Sequence, residues 1–61
     1  MIDPTEAQYL IINALEALDL LIEQRYDQDN GNWYIYTRSP ILPFAMILQD
    51  GEVSPIELEL S

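Results

Sequence analysis

Asp29-Asn30-Gly31-Asn32-Trp33-Tyr34-Ile35-Tyr36-Thr37-Arg38 is the stretch on which the fold turns. Asn30 and Gly31 tolerate the positive φ of a tight turn. The aromatic and β-branched run that follows has strand chemistry. Alternation sets Trp33 and Ile35 on one side, Tyr34 and Tyr36 on the other. A residue period of two in mid-chain announces a sheet, and the flanking sequence must supply its other strands and its cover.

Downstream, Ser39-Pro40 ends this strand, which the pattern places at 32–38. Residues 44–49 predict a second strand, and Asp50-Gly51 a hairpin turn into a third over 52–60. There Ile56-Glu57-Leu58-Glu59-Leu60 alternates, with apolar residues inward and glutamates outward. Acidic side chains on a last strand discourage unwanted sheet pairing. Pro55 has no N–H to donate, so it must lie at a bulge, an edge or a break.

Upstream, the sequence predicts one helix over about 4–24, with no interior Gly or Pro. Its cap is read as Asp3, with Pro4 at the first helical position and Glu6 three residues on. Thr5 with Gln8 forms the alternative pair. At 100° per residue, Ala7, Leu10, Ile11, Ala14, Leu15, Ala17, Leu18, Leu21 and Ile22 share one broad side. Glu6, Asn13, Glu16, Asp19 and Glu23 fall opposite, with Tyr9, Ile12 and Leu20 among them. The expected architecture is α+β: one long N-terminal helix packed on a small antiparallel sheet of three to four strands, in a single domain spanning 1–61. The helix stripe is expected to cover Trp33, Ile35, Phe44 or Met46 or both, Ile56, Leu58 and Leu60.

Composition narrows what such a domain does. The 61 residues hold no Cys, no His and no Lys, and set Arg25 and Arg38 against eleven Asp and Glu, for a net charge of −9. Without His, Cys or Lys, no base is at hand to activate Ser39, Ser54 or Ser61 as a nucleophile. The carboxylates Glu16, Asp19 and Glu23 fall on a solvated face, with no cleft and no second group to position a substrate. An enzyme is not expected. The run Asp27-Gln28-Asp29-Asn30-Gly31 suggests a calcium loop, but with Gly31 at its sixth position Tyr26 and Thr37 take the first and twelfth, which need carboxylates. No metal site and no cofactor is expected.

The charge repels nucleic acid and anionic lipid, and it steers basic protein surfaces toward the chain. At 49% hydrophobic, the sequence is too apolar for a disordered acidic tail. Its opening carries Asp3 and Glu6 where a signal peptide has basic residues, and no uncharged apolar run reaches membrane-spanning length. The lack of Cys fits a reducing compartment, so a cytoplasmic location is expected.

The run Pro4-Thr5-x-x-Gln8, followed by Arg25-x-Asp27, Gly31-Asn32-x-Tyr34-Ile35 and Asp50-Gly51-Glu52, resembles a group of short uncharacterised proteins known mainly from cyanobacteria. That group has no settled activity to carry over, so the resemblance implies a fold and no site.

Function is therefore expected in binding: a non-catalytic acidic protein-interaction module, such as a small regulator, inhibitor or antitoxin-like partner of a basic protein surface. The alternative is a homo-oligomeric or structural subunit whose charge serves solubility. The candidate contact residues are Tyr9, Ile12, Glu16, Asp19, Leu20 and Glu23 on the outer helix face, with Tyr34 and Tyr36 on the sheet.

Overall fold

Thr5 opens the helix. The computed structural model describes residues 2–56, and in it Thr5 is the extended N-cap (φ −90, ψ 161) of α1, Glu6–Ala17. Its hydroxyl accepts from the Gln8 backbone N–H at 3.2 Å, and its own N–H donates to Gln8 Oε1 at 2.9 Å. This reciprocal capping box fills two donors that a helix start leaves unpaired. It replaces the expected Asp3 cap.

The helix is also shorter than expected, ending at Ala17 instead of near Gln24. Asp19 takes the left-handed conformation at φ 57. Its N–H donates to Glu16 O at 3.0 Å, and the Leu20 N–H donates to Leu15 O at 2.9 Å. These two bonds are a Schellman stop, normally built on glycine. The chain then leaves as strand β1, Leu21–Asp27.

Three more strands follow: β2, Asn32–Thr37, β3, Phe44–Ile47, and β4, Val53–Pro55. They form one antiparallel sheet in the order β1-β2-β3-β4, with each strand beside its sequence neighbour. The register runs Tyr26↔Trp33 and Gln24↔Ile35, with a bulge between Leu21 and Glu23. Leu, Glu, Gln and Arg in β1 are good helix formers. Pairing along the whole length of β2 overrides that preference, as tertiary context routinely does. Pro55 ends the short edge strand, where its missing N–H costs no ladder bond. Ile56 is half-buried and its N–H donates to Phe44 O at 3.0 Å. The rest of the expected last strand, including Leu58 and Leu60, lies outside the described residues.

Helix and sheet enclose Ile12, Trp33, Ile35, Ala45 and Ile47, flanked by Ile11, Leu15, Leu21, Tyr26, Leu42 and Val53. Two expectations are corrected here. Ala45 and Ile47 face the helix, so Phe44 and Met46 fall on the other side. The helix itself is turned by roughly a quarter-turn from the expected stripe, burying Gln8 and Ile12. Leu10 and Leu18, expected inside, are 65% and 67% exposed.

Gln8 explains that rotation. It is fully buried, and its Nε2 donates to Gly31 O at 2.8 Å and to Ile47 O at 3.0 Å. One side chain thus caps the helix and ties it to the turn before β2 and to the end of β3. Thr5 adds a bond from its hydroxyl to Gln49 O at 2.6 Å. Gly31, beside the Gln49 side chain, is at φ +76, a left-handed conformation that residues with a Cβ rarely adopt.

Candidate functional site

With α1 on one face, the sheet's other face carries the remaining alternate residues. Cross-strand register sets Glu23 beside Tyr36, Arg25 beside Tyr34, and Asp27 beside Asn32. The next pairs are Tyr34 with Met46 and Tyr36 with Phe44. The Tyr36 and Phe44 rings stack at 4.5 Å with 8° between their planes, a parallel contact that fixes both rings. Tyr36 remains 45% exposed. Tyr34, Phe44 and Met46 are half-buried, and the one described helix lies on the opposite face.

This aromatic strip forms the floor of a shallow open concavity. Its wall comes from β1 and the turn after it: Glu23, Arg25, Asp27, Gln28 and Asp29 join Tyr34, Tyr36 and Phe44 in lining it. The turn is held by its own side chains. Asp27 accepts the Asp29 N–H at 2.9 Å, and Asn30 accepts the Asn32 N–H at 2.9 Å. Among the described residues neither Arg25 nor Arg38 has a carboxylate within 4.0 Å. The concavity therefore combines flat aromatic surface with three carboxylates and one guanidinium.

Of the expected contact residues, Tyr34, Tyr36 and Glu23 come together here. The others do not form the single helix face foreseen for them. Ile12 is 3% exposed and belongs to the core, because the helix face is set by Gln8. Asp19 makes the helix stop, and Leu20 is half-buried, its carbonyl accepting the Arg38 N–H at 2.7 Å. Glu23 sits on β1. Glu16 lies over the inner side of β1, accepting from Gln24 Nε2 at 3.5 Å. Tyr9 packs edge-on against Trp33 at 5.4 Å. Phe44, Met46, Arg25, Asp27 and Asp29 were missed as site residues. Phe44 was discoverable from the hairpin register, which pairs it with Tyr36.

Tyr26 closes the core at the sheet edge, stacking edge-on against Trp33 at 5.4 Å and donating its hydroxyl to Ile2 O at 2.8 Å. Desolvation holds its phenol above the usual 10.0, and the nearby Asp3, Tyr9 and Asp27 add to this. Among the described residues no group of three or more acidic side chains is placed to hold a metal ion. None of the described helices is long and apolar enough to cross a membrane. The chain matches no family model, no curated protein and no solved structure.

Proposed function

We propose that this chain is a non-catalytic acidic interaction module, a small regulator or inhibitor whose sheet face opposite the helix receives a basic segment of another protein. The observation that supports this is the stacked Tyr36–Phe44 pair with Tyr34, bordered by Glu23, Asp27 and Asp29. Aromatic faces hold guanidinium and ammonium groups by cation–π attraction, and the carboxylates add charge-assisted hydrogen bonds. The net charge of −9 steers such a partner toward the surface. A reducing cytoplasm suits a chain without cysteine.

The test is a titration with an oligo-arginine peptide, followed by amide shift mapping. Saturable shifts centred on Tyr34, Tyr36 and Phe44, lost in Tyr36→Ala and weakened by Glu23→Gln, are expected. Shifts centred on the helix, or no saturation, would overturn the proposal. A second reading, a subunit contact through the helix, is favoured by the exposed row Leu10, Ala14 and Leu18. Leu10→Ser combined with Leu18→Ser would then abolish self-association and leave peptide binding intact.

A further inference from the structure

The two edges of the sheet differ. On one side β4 is short and ends in Pro55. On the other, β1 runs seven residues from Leu21 to Asp27 and pairs, among the described residues, only with β2. The turn bond from the Gly31 N–H to the Asp27 carbonyl at 2.9 Å points that carbonyl inward to the hairpin. Alternation along an antiparallel strand then turns the N–H and C=O of Gln24 and Tyr26 outward, toward the edge away from β2. Ile2 meets the chain at Gln28 O, just past the end of the strand.

An edge like this invites another strand, and proteins commonly block it with charge. Here the charges are of both signs. Glu23 and Arg25 flank Gln24 and share the sheet face opposite the helix. A second β1 laid antiparallel, with a two-fold axis at Gln24, would set Glu23 of each copy directly across from Arg25 of the other. Those positions are non-hydrogen-bonded pairs, where cross-strand side chains come closest. This register pairs Glu23, Gln24 and Arg25 of the two copies, the part of the strand clear of the bulge between Leu21 and Glu23. Shifting the axis one residue back sets Glu23 against Glu23, and one residue forward sets Arg25 against Arg25 and Glu23 against Asp27. Like charges directly opposite are unfavourable, so only the Gln24-centred register among these is electrostatically self-complementary.

We infer that β1 is a homodimerisation edge, joining a second copy of this chain into one continuous eight-stranded sheet through reciprocal Glu23–Arg25 pairs. The two-fold axis stands perpendicular to the sheet, so both helices lie on one face and both aromatic concavities on the other. Gln24 meets its counterpart at the axis, with its amide already donated to Glu16 of its own helix. The interface shares Glu23 and Arg25 with the wall of the aromatic concavity, so it is tested by mass and not by peptide binding, and it does not use the exposed helix row.

A charge swap tests it. Sedimentation equilibrium at about 0.15 M salt, where the Debye length is roughly 8 Å, should give twice the 7.1 kDa chain mass for the wild type. Glu23→Arg and Arg25→Glu should each raise the dissociation constant at least tenfold, and the double variant Glu23→Arg/Arg25→Glu should restore it to within about threefold. Circular dichroism checks that each variant stays folded. A wild type that stays monomeric up to millimolar concentration overturns the inference. So does a dimer indifferent to both single changes, which assigns association to another surface. A double variant no tighter than the weaker single one overturns it as well, because the Glu23–Arg25 pairing is then not what sets the register.

Discussion

The two faces of one sheet are built from neighbouring residues and solve opposite problems. On the inner face Trp33, Ile35, Ala45 and Ile47 are nearly or wholly removed from water beneath α1. On the outer face Tyr34, Tyr36, Phe44 and Met46 interleave with them and stay partly wet. The inner residues are aliphatic or small except for Trp33, which leaves room for a helix carrying Gln8 and Ile12. The outer ones are broad and mostly aromatic, and they pack sideways on one another instead of upward against a second layer. Large side chains that stack laterally suit a surface that stays exposed until a partner arrives, since rigid rings lose little freedom on binding.

The inner face should therefore be far more sensitive to substitution. Gln8→Ala strips the partner from two carbonyls, Gly31 O and Ile47 O, and opens the capping box. Leaving buried groups unpaired should cost about 2–4 kcal/mol, close to the limit for a chain this small. Chemical denaturation measures it. On the outer face, Tyr36→Ala loses the stack on Phe44 and should cost about 0.5–1 kcal/mol, with a larger loss of peptide affinity. Equal stability losses at the two positions would mean that the outer face belongs to the core.

How much of this was written in the sequence depends on where one looks. Gly31 and Gly51 marked their turns, and the period of two in Trp33–Tyr36 sorted inner from outer residues correctly. The first strand was hidden. Leu21, Ile22, Glu23, Gln24 and Arg25 all suit a helix, and nothing between Asp3 and Gln24 breaks one in the ordinary vocabulary of Gly and Pro. Asp19 performs the break with a conformation that aspartate adopts only sparingly. Treating β1 residues as helical also displaced the apolar stripe, because Leu21 and Ile22 drew it toward Leu10 and Leu18. The true helix face centres on a glutamine, a polar residue whose burial makes sense only once Gly31 and Ile47 stand within its reach. The candidate site was half legible for the same reason: Tyr34 and Tyr36 came from local alternation, whereas Arg25 and Asp27 required knowing that β1 exists.

Two smaller effects sharpen the picture at the border between the faces. Asp19→Gly relieves the left-handed residue at the helix stop and removes an anion from the negative end of the helix dipole. The gain should be about 0.5 kcal/mol, read as a melting temperature higher by a few degrees. A loss instead would show that Asp19 makes a compensating contact. Tyr26 provides a pH handle. Its folded pKa is raised above 10.0, so the neutral phenol's contribution is complete below pH 10 and declines as pH rises through the folded value. Tyr26→Phe should therefore lose stability less steeply than the wild type above pH 10, in melts compared across pH 9–11. Parallel curves would place the alkaline loss outside Tyr26.

Gln8 carries one further consequence. Helix ends ordinarily open and close without the rest of the molecule noticing, and their amides exchange with solvent accordingly. Here the first turn is latched to a carbonyl thirty-nine residues further along the chain. The amides of Thr5 and Gln8 cannot be released independently of β3, so they should exchange with solvent only as fast as the whole domain unfolds. The customary order of a small helix is thereby inverted. Its beginning becomes the slowest part to open, and its glycine-free end at Asp19 the place where opening starts.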